Sequence, residues 1–203
     1  IKVLATGAVL SPGEKPGSAT FEMEEIRAAV VEAAKVGKIV AAHAHGIEGI
    51  RNAVEAGAKT IEHGTYLNQD PRIRERMAKE EIFLVPTLKA GYDIIEGDRP
   101  GIPEWIMEKS KETQADAMKS IRKAYEMGVP IAMGTDAATP YNFHGENAME
   151  LYYMSQAGMS NMDCIVASTK NAARALGWDA KLGTLEAGKL ADLIVVKKNP
   201  LDD

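Results

Sequence analysis

The chain has four histidines in 203 residues, and three of them fall between positions 43 and 63. His43 and His45 stand two apart in the apolar run IVAAHAHG, and His63 follows TIE and precedes a glycine. Neutral imidazole is a common metal ligand and a general base. His43 and His63 each end a strand-like segment. Adjacent strand ends lie about 5 Å apart, so the two rings are placed to reach one cation through Zn–N bonds of about 2.0–2.1 Å. His45 shares the face of His43 by strand alternation, but Gly46 signals that the strand is ending; a metal ligand, a substrate contact and a loop histidine are all open, and substrate contact is the favoured reading. Asp136 lies in IAMGTDA. Aspartate is a poor strand former, and a carboxylate there fits a metal ligand that also takes a proton from water; a helix N-cap is the competing reading. Lys2, inside IKVLAT, is either an edge residue facing water or a desolvated amine. A desolvated amine with a lowered pKa captures carbon dioxide, and the carbamate can bridge two metal ions. His144, before a helix in NFHGENAMEL, is a second candidate for substrate contact, with a surface-loop histidine as the equal alternative. Glu62 is placed on the face opposite His63 and read as structural.

The elements that position these residues alternate between strand and helix. Five strand-like segments cover residues 1–6, 38–46, 58–64, 82–88 and 129–137. Helical patterns cover 20–36, 47–57, 70–81, 104–127, 147–157 and 161–176. Thr20 is the expected N-cap of the first helix, with Glu22, Glu24 and Glu25 in its first turn and Gly37 at its end. Pro71 suits the first turn of the third. A last strand is expected within GTLEAGKLADLIVV. Strands that are apolar on both faces and alternate with helices make a parallel sheet covered by helices. Five strands are most of an open doubly wound sheet, or the second half of an eight-stranded barrel. Thr6, His43, His45, His63, Thr87, Thr135 and Asp136 all fall where strands end, and in parallel α/β folds that edge carries the site.

Composition removes several function classes. A net charge of −5 gives no electrostatic footprint for nucleic acid. One cysteine, Cys164, excludes an internal disulfide framework and fits a reducing, cytoplasmic compartment. No apolar run approaches the ~18 residues of a membrane span. The glycine spacing in TGAVLSPGEKPG is not that of a phosphate loop, and no nucleophile elbow is present. Ile1 enters a strand midway and the last residues lead nowhere, so a fragment of a longer chain is expected.

Taken together, IKVLATGAVLSPG, AAHAHG, TIEHGT, FLVPTL, IAMGTDA, HGENAMEL and LGTLEAGKLADLIVVKKNPLDD resemble the second half of a metal-dependent amidohydrolase. The nearest branch is the imidazolonepropionase-like group that includes Xaa-Pro dipeptidases. The resemblance implies a (β/α)8 TIM barrel with a binuclear metal centre and a small β-sandwich built from both chain ends. Residues 1–184 would supply strands 4 to 8 of the barrel, and 185–203 the start of the sandwich segment. Lys2 would be the carboxylated bridging lysine, His43 and His63 would bind the second metal, and Asp136 would bind the first and pass a proton to the leaving amine. The metal-activated hydroxide would cleave an amide bond in a small substrate, most plausibly an Xaa-Pro dipeptide. A cyclic amide of imidazolonepropionate type, or a non-catalytic half-barrel that binds at most one metal, are the alternatives. Imidazole with carboxylate fits zinc best. The family's H-x-H pair on the first strand is absent, since HAHG matches the fifth. The open sheet edge that results needs a cover, and a homo-oligomer is expected.

Overall fold

The structure, a computed structural model, describes residues 1–97 and 99–202. Its centre is a four-stranded parallel sheet in the order β1 (Lys2–Leu4), β2 (Ala41–Ala44), β3 (Thr60–His63) and β4 (Phe83–Val85). Leu4 lies opposite His43, His43 opposite Glu62, and Glu62 opposite Val85. Chain order equals sheet order, as expected when each helix carries the chain across to the next parallel strand.

One face of this sheet is covered by helices. Ala42, Ala44, Ile61 and Leu84 are fully buried there, packed with Ile26 and Ala33 of α1 (Met23–Lys35) and Ile50, Ala53 and Val54 of α2 (Ile47–Ala56). The alanines leave room for the helices to approach closely, and each large aliphatic side chain buried adds about 1.5–3 kcal/mol. α1 starts later than expected: Glu22 and Glu25 form a capping box, while Thr20 uses its hydroxyl on the Leu4 carbonyl instead. Asp70 caps α3 (Pro71–Glu80), accepting from Arg72 N and Ile73 N, with Pro71 in the first turn.

Beyond β4 the structure departs further from expectation. α4 (Leu88–Ile95) occupies a stretch with no expected element, and α5 (Glu104–Glu126) follows as the long helix. The strand expected over 129–137 is reduced to a single parallel bridge between Ile131 and Leu84. Leu84 N donates to Pro130 O and Ala132 N to Leu84 O, both at 3.0 Å. On its other side, Met133 N donates to Ala167 O and Asn171 Nδ2 to Ile131 O, also at 3.0 Å. These two groups are served by a helix rather than by a strand. α6 (Met149–Gln156) comes next. The single helix expected over 161–176 is α7 (Asn161–Val166), a π-turn (Ala167–Asn171) and α8 (Ala172–Ala175). No strand forms after it among the described residues. Leu193 to Val196 are exposed, 91% at Val195.

Candidate active site

The register places Lys2, His43 and Glu62 on one face of the sheet, the face away from α1 and α2. Alternation alone would send His63 to the opposite face. His63 instead takes a left-handed backbone, φ 69°, followed by Gly64 at φ 60°, which swings the imidazole back over the strand ends. The three rings then converge. The centroid of His43 lies 4.8 Å from that of His45 and 4.6 Å from that of His63, both edge-on, and His45 stacks on His63 at 4.5 Å. Gly46 is obligatory beside them, since a Cβ there would lie 2.0 Å from the Gly17 carbonyl.

Hydroxyls hold the rings. Thr87 donates to the Pro86 carbonyl at 2.7 Å, so its oxygen accepts from His63 Nδ1–H at 2.7 Å, which leaves Nε2 as the bare lone pair. His45 Nδ1 meets Thr65 Oγ1 at 2.7 Å, and the His45 backbone N–H donates to Thr6 Oγ1 at 2.9 Å. His43 Nε2 is buried with no partner. Burial lowers the His43 pKa, helped by the Lys2 charge and opposed by the Gly7 carbonyl and Asp136. Burial, then the neighbouring His43, drives His45 down to about 3. His63 falls well below the ordinary histidine value through burial and then the other two imidazoles. Three neutral imidazoles at neutral pH follow, each a lone-pair donor.

Lys2, His43, His45, His63 and Asp136 all line one cavity of about 380 Å³. Asp136 reaches it from a left-handed backbone, φ 54°, in a loop held by Asn142, whose Nδ2 donates to the Thr135 carbonyl at 2.6 Å and the Asp136 carbonyl at 3.1 Å. Three of the expected residues are placed as follows. His144 is exposed and does not line this cavity, because its loop leads away toward α6. Lys2 is not desolvated: its side chain is 50% exposed, and Nζ lies 3.8 Å from Glu62 Oε2. Glu62 therefore shares the face of Lys2 and His43. Sequence reasoning also missed Thr65, whose only signal is a hydroxyl two residues after His63, and Ser110 and Gln114 of α5, which line the same cavity.

The profile of the family described as the Amidohydrolase family matches residues 1–203. The chain belongs to the amidohydrolase family. Ochratoxinase from Aspergillus niger is 35% identical over 205 residues, covering 100% of this amidohydrolase chain and 42% of that protein. An imidazolonepropionase from Rhizorhabdus wittichii is 28% identical over 159 residues, covering 78% of the chain and 35% of the relative. Among solved structures, a Xaa-Pro dipeptidase with methionine bound in its active site superposes with a TM-score of 0.90 at 40% identity, over 100% of this chain and 50% of that one. The chain thus spans about half the length of the relatives it matches.

The residues of this amidohydrolase fit a divalent metal. The ligand atoms of His43, His45 and His63 all lie within 4.8 Å of one another. Zn–N bonds of about 2.0–2.1 Å on a tetrahedral ion require these donor atoms to draw closer together than that. The unpartnered His43 Nε2 also has no other acceptor or donor to answer it, and a buried polar atom left so is costly. Among the described residues no helix is long and apolar enough to cross a membrane.

Proposed function

We propose that this chain carries the greater part of the metal site of an amide hydrolase. The observation that carries the reading is the convergence of three buried imidazoles, one with an unanswered Nε2, on a cavity that also receives Lys2 and Asp136. His43 and His63 would hold a divalent ion, zinc being the best match to imidazole with carboxylate, and His45 stands within the same donor set. Lys2, as a carbamate made with carbon dioxide, and Asp136 would extend the site to a second ion. Bound metal supplies Lewis-acid polarisation of a carbonyl and acidifies water. The chain's own residues do the rest. Thr87 and Thr65 orient His63 and His45. Asp136 takes a proton on a carboxylate oxygen from the attacking water and returns it to the leaving nitrogen.

The relatives support an amide or peptide-like bond in a small substrate, with an Xaa-Pro dipeptide as the first candidate and a cyclic amide as the second. Residues 1–184 would belong to a (β/α)8 barrel and 185–203 to a β-sandwich. A homo-oligomer is part of the same proposal. Elemental analysis of the full protein, coupled to a dipeptide hydrolysis screen, tests the reading with His63→Ala as the control. Bound zinc or another divalent metal is expected, lost with turnover in the variant. An unchanged metal content in His63→Ala would overturn it.

A further inference from the structure

The cavity that holds the imidazoles continues along α5. Ser110, Thr113, Gln114 and Ala117 of that helix line it. Lower on the same helix, Ser120 Oγ donates to the Thr65 carbonyl at 2.7 Å, which anchors α5 beside the threonine that holds His45. A helix rises ~1.5 Å per residue, so Gln114 and Ser110 stand roughly 9 and 15 Å further along the axis. The same cavity is lined by apolar Val9 and Leu10 from the loop after β1 and by Ile94 from α4. Lys109 Nζ donates to the Ser11 carbonyl at 2.8 Å and ties this loop to α5.

Two polar atoms in this wall have no partner, Ser110 Oγ and Gln114 Nε2. Their residues are only 1% and 9% exposed. Thr113, between them, is already satisfied through the carbonyls of Lys109 and Ser110. A buried donor left unpaired costs about 1–3 kcal/mol, and here two such groups sit one helical turn apart on the same face. The Gln114 amide is also given room deliberately: a Cβ at Gly91 would lie 2.1 Å from Gln114 Oε1.

We propose that Ser110 and Gln114 are a specificity-determining pair that hydrogen-bonds an acceptor oxygen on an uncharged, mainly apolar substituent of the substrate. This rests on the amide-hydrolase reading above. Both groups are neutral donors, and the apolar residues around them would strip a ligand of water. A carboxylate or ammonium seated there would be desolvated without an opposite charge, because neither charged residue among the described lining, Lys2 of β1 and Asp136 of the loop after Ile131, lies on α5.

The test compares two neutral probes of similar shape, acetophenone, which carries a carbonyl, and ethylbenzene, which does not. Ligand-observed NMR titration on the full metal-loaded protein reads their dissociation constants. In the unmodified protein acetophenone should bind about tenfold tighter, and Gln114→Leu and Ser110→Ala, made separately, should each cut that ratio to about threefold or less. A ratio near one in the unmodified protein, or a ratio unchanged in both variants, overturns the proposal. Metal content and dipeptide turnover are measured on the same samples. A retained ratio without metal or turnover sinks only the hydrolase reading; turnover with a ratio of one sinks only the substrate pair.

Discussion

Thr87 keeps the proton of His63 on Nδ1, so its hydroxyl acts on the lone pair at the other side of the ring. Thr87→Val keeps the shape and removes that hold. Metal affinity should fall about 10- to 100-fold, read by competition with a chelator, while stability to denaturant changes by only ~1 kcal/mol. His43, His45, His63 and Asp136 were legible because imidazole and carboxylate have no packing reason to recur at strand ends. Lys2 was left open between an edge residue facing water and a desolvated amine, because neither its half exposure nor its Glu62 partner shows in a local window. Glu62 was assigned to the wrong face for one reason: alternation fails where His63 turns left-handed. Ser110 and Gln114 left no trace, since a serine and a glutamine four apart on a charged helix look like surface.

At the scale of elements, α4 depends on a residue distant in sequence. Glu150 of α6 is fully buried and accepts from Leu88 N at 2.8 Å and Lys89 N at 2.7 Å, the first two residues of α4. Thr87, at the N-cap position, makes no side-chain cap of its own. That explains why α4 was not foreseen: its start signal sits 62 residues away. Burial pushes the Glu150 carboxyl up to about 7 from the ordinary 4.5, against the two N–H groups and the Lys89 ammonium that pull it down. Between those values the folded protein keeps a proton that the unfolded chain has released. The stabilisation is complete below about pH 4.5 and is lost as pH rises through about 7, a swing of about 3 kcal/mol. Denaturant titrations should therefore show greater stability at pH 5 than at pH 8, and Glu150→Gln should flatten this step. A variant with the same pH dependence as the parent would refute the assignment.

For the whole molecule, the alternation of apolar strands and amphipathic helices was enough to foresee a parallel sheet with helices on it, because burying both faces leaves few other arrangements. The last strand was not realised. An apolar run becomes a strand only beside another backbone, and Leu193 to Val196 have none among the described residues. Such a run is a sticky segment. Residues 1–203 produced alone should self-associate in light scattering, and Ile194→Lys with Val195→Glu should shift the population toward monomer. A chain that is already monomeric would contradict this.

The π-turn gives the sheet a direction. Ala167 and Asn171 occupy the outward backbone groups at Met133 and Ile131, whereas β1 has β2 as its one strand neighbour among the described residues. An incoming backbone meets two groups already taken by the π-turn on the first side and one, the Leu4 carbonyl, taken by the Thr20 hydroxyl on the second. Among the described residues, a backbone pairing beside β1 would have to displace the Thr20 hydroxyl from Leu4, and one pairing beside Ile131 would have to displace the π-turn.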